Sequence, residues 1–173
     1  GSNKNIDTIM IREKEIELLD KCLNQLSRLN YNKDFDLIDI DFPGSNAIWK
    51  LISGKRFKIR HFFCNANGNQ YVIGPSGELH KCWWSIGNNT ESIGDVVNGI
   101  DQKKDNYWKE RTLAKMGKCL DCKYAFLCAG ACSYKALLAT GNIYEPLCPK
   151  YDSIVKMLIK FKYRDEGDVF NIL

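Results

Sequence analysis

Seven of the eight cysteines lie between positions 64 and 148, on a regular spacing. Cys64 is followed after twelve residues by Gly77 and after four more by Cys82, then comes Cys119-x2-Cys122-x5-Cys128-x3-Cys132, and Cys148 closes the set. A thiolate is a soft, charged ligand suited to zinc, copper(I) or iron-sulfur clusters, and several of them gathered without a metal repel one another or oxidise. The pattern therefore asks for a metal. In a reducing compartment such a set is metal-binding more often than it is a disulfide framework. Cys22 stands apart, beside an apolar stripe, and reads as a small buried packing residue.

Other chemistry is thinly represented. A tetrahedral structural zinc site is also built from a Cys-x2-Cys pair with two later thiols, but zinc knuckles come as two close pairs, whereas Cys64 and Cys82 stand alone. Seven ligands also divide badly into four-thiolate zinc sites, while an iron-sulfur cluster tolerates one iron without a cysteine. His61 and His80 are the two histidines and sit in no triad motif. His80 shares a face with Cys82 by strand alternation, so that a ligand role, a supporting role and a surface position are all open to it. Asp39 and Asp41 read as a solvated face, and there is no phosphate loop or dinucleotide fingerprint. Trp83 and Trp84 read as core aromatics, or as shields that keep water from a cluster beside Cys82 and so tune its potential.

The elements that must position these thiols follow from periodicity and turn chemistry. Ile16, Leu19, Leu23, Leu26 and Leu29 give an amphipathic helix over about 11–30. Leu37 to Phe42 alternates like a strand ending at Pro43, and a short helix lies between Ser45 and Gly54. Arg56 to Phe63 leans to strand and delivers Cys64. Gly74-Pro75-Ser76-Gly77 between two extended runs predicts a hairpin that folds Cys82 back toward Cys64, with Gly77 a backbone residue and not a ligand. Ile93 to Val96 reads as a short strand, Asn106 to Met116 as a helix carrying Trp108 toward the second group of cysteines, and Ser133 to Thr140 as a helix stopped by Gly141. Small residues at 129–131 let the backbone pass close to an inorganic core. A packing helix over Asp152 to Tyr163 places Ile154, Val155, Leu158 and Phe161 on one side.

The composition is globular, 45% hydrophobic and 27% charged. A net charge of +4 with both signs interspersed offers no arm for nucleic acid or a membrane surface, and no apolar run approaches a membrane span or signal peptide. The expected setting is the cytoplasm. The opening Gly1-Ser2 reads as the remnant of a removed tag on a piece of something longer.

The seven-cysteine pattern, with Gly77, resembles the SPASM domain, the C-terminal auxiliary-cluster domain of a branch of radical S-adenosylmethionine enzymes that mature peptides and proteins. The likeness covers roughly 85 residues, about half the chain. It implies two 4Fe-4S clusters with interleaved ligation: Cys64, Cys82 and Cys132 holding the first, and Cys119, Cys122, Cys128 and Cys148 the second. Some members add a fourth cysteine to the first cluster, which Asn65 to Lys81 lacks here, leaving one iron open or bound by another group. Ala131 also stands where a second glycine is common.

The Cys-x3-Cys-x2-Cys motif of the catalytic cluster is absent, so the chain is not expected to cleave S-adenosylmethionine alone. The resemblance implies an α+β fold of short hairpins and loops around two clusters, flanked by amphipathic helices. Residues 3–62 would bridge from an upstream radical barrel, 63–150 would form the auxiliary-cluster domain, and 151–173 a C-terminal helix and tail. Expected partners are that barrel in cis and a peptide or protein substrate, with electron transfer or substrate anchoring as the role. A zinc-stabilised interaction module without redox function is the alternative.

Overall fold

The computed structural model describes residues 3–28, 45–148 and 151–164. The chain divides into two compact units, one of residues 1–58 with 149–173 and the other of residues 59–148. The mixture of helices with one small antiparallel sheet makes the protein α+β.

The first unit is helical. Its elements are α1 (Asn3–Arg28), α2 (Ser45–Ile52) and α7 (Tyr151–Lys162), with α1 and α2 each packed against α7. Leu19 and Leu23 of α1 are buried, as are Ala47, Ile48 and Trp49 of α2 and Tyr151, Ile154 and Leu158 of α7. The stripes foreseen on α1 and α7 are thus the faces that leave water. Helix α2 ends in a Schellman arrangement, with the Lys55 N–H donating to Lys50 O (2.8 Å) and the Gly54 N–H to Leu51 O (3.1 Å). Trp49 stacks at a tilt on Phe161, ring centroids 5.9 Å apart, and the Tyr163 hydroxyl donates to Ile52 O (2.7 Å). Cys22 is exposed, not a packing thiol, because it lies one position round the helix from the buried Leu19 and Leu23. The strand expected over Leu37 to Phe42, the acidic pair Asp39 and Asp41, and Leu29 fall outside the described residues.

The second unit carries the seven thiols on very little regular structure. Strands β1 (Val72–Ile73), β2 (Glu78–His80), β3 (Gly94–Asp95) and β4 (Gly99–Ile100) form a meander in that order, with Ile73 opposite Leu79, Leu79 opposite Gly94 and Gly94 opposite Ile100. The β1–β2 hairpin turns at Gly74–Gly77 as expected, and Gly77 is left-handed (φ +84°). A methyl there would stand 2.9 Å from Val96 Cγ2, so both conformation and space ask for glycine.

Helix α3 (Gln102–Lys109) begins earlier and ends sooner than its apolar pattern indicates. Asp101 is the cause at the start, its carboxylate accepting from the N–H groups of Lys103 (2.9 Å) and Lys104 (3.2 Å). Two one-turn helices, α4 (Gly117–Leu120) and α5 (Ala125–Cys128), and the longer α6 (Ser133–Thr140), which stops at Gly141, complete the unit. Residues 56–63 form no strand. Their backbone makes isolated bonds, Arg60 N–H donating to Phe126 O of α5 (3.3 Å) and His61 O accepting from Leu113 N–H (2.9 Å), so no ladder forms. No helix among the described residues is long and apolar enough to cross a membrane.

A buried ionic contact ties the sheet to α3. Lys81, fully buried, donates to Asp105 Oδ1 (2.8 Å) and Gly68 O (2.6 Å) and lies over the Tyr71 ring. Burial pushes the Asp105 carboxyl up, but hydrogen bonds from Lys109, Lys81 and Tyr71 outweigh it and hold the group below the usual carboxylate range. The stabilisation is therefore present above the unfolded carboxylate value of about 3.9 and is lost as pH falls through the lower folded value. Asp105→Ala strands the Lys81 ammonium in the interior. In urea denaturation of the full chain at neutral pH it is expected to cost about 3–5 kcal/mol, as loss of one partner of a buried pair does.

Candidate metal centre

The three outlying thiols of the pattern meet in the main core of the second unit. Cys82 is buried among Ala66, Leu79, Ile93, Trp108, Tyr134 and Ile143, and Cys64 and Cys132 pack against the same cluster. Trp108 is thus placed beside this group and not beside the second set of cysteines. It packs there with Leu79 of β2 and with Ile93, Tyr134 and Ile143.

Residues next to these cysteines are tied together by buried polar contacts. Asn67, three residues after Cys64, donates to Trp108 O (3.0 Å) and accepts from the hydroxyl of Ser133 (2.8 Å), the residue after Cys132. Lys81, the residue before Cys82, reaches Gly68 in the loop after Cys64. Three sequence-distant loops are thereby held at one place. Such contacts leave no periodicity in the sequence, which is why it points to the cysteines and not to Asn67 or Lys81.

Cys64 and Cys82 each precede a 3-10 turn, Asn65–Asn67 and Trp83–Ser85. Burial raises the Cys64 thiol above its ordinary value, the Ala66 amide and Arg111 pull it back, and the charge of Cys132 raises it further. Cys82 follows the same logic: burial raises it, the Trp84 amide lowers it, and Cys132 and Cys64 raise it. Cys64 and Cys82 thus both lie within electrostatic reach of Cys132.

The second set is carried by the one-turn helices. Cys119 is buried with Leu113, Met116 and Ala125 in a smaller core, Cys128 is buried at the end of α5, and Cys122 and Cys148 are exposed. The Cys119 thiol is pushed up to about 11 by burial and then by the charges of Cys148, Cys128 and Cys122. Cys119 thus lies within electrostatic reach of Cys148, Cys128 and Cys122, as Cys64 and Cys82 lie within reach of Cys132. A surface ion pair, Lys118 with Glu145, spans from the segment before Cys119 to the segment before Cys148. Among the described residues no three Cys, His, Asp or Glu side chains form a group poised to hold a single metal ion.

Between Cys128 and Cys132 the chain is left-handed at three successive residues: Ala129 (φ +51°), Gly130 (φ +76°) and Ala131 (φ +58°). Left-handed alanine costs about 1–2 kcal/mol per residue, and such strain gathers at functional sites. Both alanine methyls are buried, so packing offsets part of the strain. A glycine in place of Ala131 would take up the same left-handed conformation without that cost.

Two expectations about the surroundings fail. Trp83 and Trp84 are 69% and 78% exposed, so they are neither core aromatics nor shields over a thiol. The 3-10 turn that follows Cys82 throws both rings outward and buries Ser85 in their place. His80 in turn is fully buried and so has no surface position. The Ser85 hydroxyl donates to Cys82 O (2.7 Å), and its oxygen lies 3.1 Å from His80 Nδ1. His80 Nε2 is buried with no hydrogen-bond partner among the described residues.

The residue that sequence reasoning missed is Arg111. It is fully buried, its Nε donates to Ile143 O, and its Nη2 donates to Gly130 O (2.8 Å). Burial pulls the guanidinium below its ordinary value, and the charges of Cys132, Cys119, Cys64 and Cys128 work against that shift. Both thiol sets are therefore within reach of its charge.

A methyl on Gly130 would fall 2.4 Å from Met116 Cε and 2.6 Å from Sδ, on a backbone that disfavours it. Gly130→Ala is expected to cost about 2–4 kcal/mol in urea denaturation through left-handed strain and overpacking against buried Met116. An unchanged urea midpoint would show that the loop yields freely. Compared with models of known protein families, with curated proteins and with solved structures, the chain has no match.

Proposed function

We propose that residues 59–148 form an auxiliary iron-sulfur domain of a cytoplasmic radical S-adenosylmethionine maturase acting on a peptide or protein. Cys64, Cys82 and Cys132 would hold one 4Fe-4S cluster, and Cys119, Cys122, Cys128 and Cys148 the other. The observation that carries the reading is the convergence of Cys64, Cys82 and Cys132, from three distant loops, about one core. The donor chemistry fits: seven thiols, most of them partly or wholly withdrawn from water, with a buried guanidinium among them. When bound, such clusters supply one-electron redox chemistry and, at an iron without a cysteine, a point that can take a substrate group.

The chain's own residues do the rest. Asn67, Lys81 and Ser133 hold the three loops in register around the first group. The core of Leu79, Ile93, Trp108 and Tyr134 excludes water from the side of Cys82. The exposed pair Trp83 and Trp84 offers an apolar surface beside that group to the upstream barrel or to a bound peptide. Cleavage of S-adenosylmethionine belongs to the barrel, since this chain lacks the three-cysteine loop for it.

The test exploits the short distance between Cys128 and Cys132. Anaerobic reconstitution of the full chain should give about eight iron and eight sulfide, and Cys128→Ala and Cys132→Ala should each leave roughly half. Interleaving requires that the double variant lose nearly all iron. If the two cysteines served one centre, single and double variants would instead retain the same iron. Stoichiometric zinc without acid-labile sulfide would replace the cluster reading with that of a structural zinc module.

A further inference from the structure

We propose that Arg111 is a counter-ion shared by the two thiol groups, which sets the reduction potentials of both clusters together; this rests on the cluster reading above. The geometry points to it in three ways. Arg111 is fully buried, and its described hydrogen-bond partners are carbonyls, Ile143 O and Gly130 O. Nη1 has no hydrogen-bond acceptor among the described residues. A guanidinium stays charged in a protein, so a buried one needs negative charge nearby.

Its position supplies that charge from both sides. Ile143 belongs to the core that holds Cys82, with Cys64 and Cys132 against it. Gly130 lies midway between Cys128 and Cys132 and closes on Met116, which packs with Cys119. Other buried or bridging cations are already matched: Lys81 by Asp105, and Lys118 by Glu145. Among the described residues Arg111 has no carboxylate partner of this kind, and thiolates on the two clusters would supply the missing charge.

The consequence follows from charge alone. Reduction adds one electron to a cluster and breaks no bond, so the site becomes more negative by one charge. A buried cation within reach of both groups favours the more negative state at each, and its loss must shift both midpoints to more negative values.

Reconstituted full-length wild type, Arg111→Met and Arg111→Lys would be titrated with dithionite and followed by electron paramagnetic resonance. Arg111→Met is expected to lower the reduced-to-oxidised ratio of both clusters at least tenfold at fixed potential, about 59 mV for a one-electron couple. Arg111→Lys, which keeps the charge but not the guanidinium fork, should hold both midpoints near wild type. Unmoved midpoints in Arg111→Met, or movement at one cluster alone, overturn the proposal. Loss of iron in Arg111→Met with full loading of Arg111→Lys also supports it, since charge and not the fork is then what the site requires. Equal iron loss in both variants overturns it and makes Arg111 a structural peg. Wild type that takes up no iron and sulfide fails the cluster reading itself, a result distinct from these.

Discussion

The second unit depends on the cost of gathering thiols away from water. Burial alone lifts Cys64, Cys82 and Cys119 above the ordinary thiol range, and each further thiolate in a group lifts its neighbours again. Two kinds of group oppose this: amide N–H groups aimed at Cys64 and Cys82, and the guanidinium of Arg111. A set arranged like this is stable as neutral thiols or as thiolates on a metal. It is poorly suited to being a cluster of bare charges.

That constraint explains the odd economy of the fold. The strands are two or three residues long and two of the helices are single turns, so the backbone cannot hold the loops by ladder bonds alone. Buried side chains take over. Asn67 bridges α3 and the start of α6, Lys81 bridges the loop after Cys64 and α3, and Arg111 bridges the turn at Gly130 and the segment at Ile143. Each satisfies carbonyls or polar groups that would otherwise be stranded, and each ends next to a cysteine-bearing loop. The polar interior is therefore scaffold, and the apolar core of Leu79, Ile93, Trp108 and Tyr134 is small because it has little else to do.

This also sets what could be read in advance. The β1–β2 hairpin, the left-handed Gly77, the ends of α2 and α6 and the packing face of α7 were legible because each follows from local turn chemistry or a single helical period. Arg56 to Phe63 has β-prone composition but no neighbouring strand to pair with, so tertiary context overrides it. The start of α3 was set by one capping carboxylate, Asp101, and not by apolar spacing. Trp83 and Trp84 read as interior because of residue type, yet one tight turn decides their direction. Arg111, Lys81 and Asp105 went unmarked, since nothing in a one-dimensional pattern singles out a charge whose partner is 19 to 32 residues away.

The short step from Cys128 to Cys132 shows how the fold turns spacing into geometry. Residues four apart on a continuous α-helix lie on one face and would present both sulfurs to the same point. Here α5 ends at Cys128, α6 begins at Ser133, and three left-handed residues intervene. A helix running straight through would place Cys132 with the Cys119 group. The reversal at Ala129–Ala131 instead delivers it to the core of Cys64 and Cys82. The left-handed turn carries a strain cost at its two alanines, and the buried methyls, the Met116 contact at Gly130 and the Arg111 bond to its carbonyl are what keep the loop in that state. Relaxing this one loop into a helix would carry Cys132 away from the core it shares with Cys64 and Cys82 while leaving every cysteine in place in the sequence.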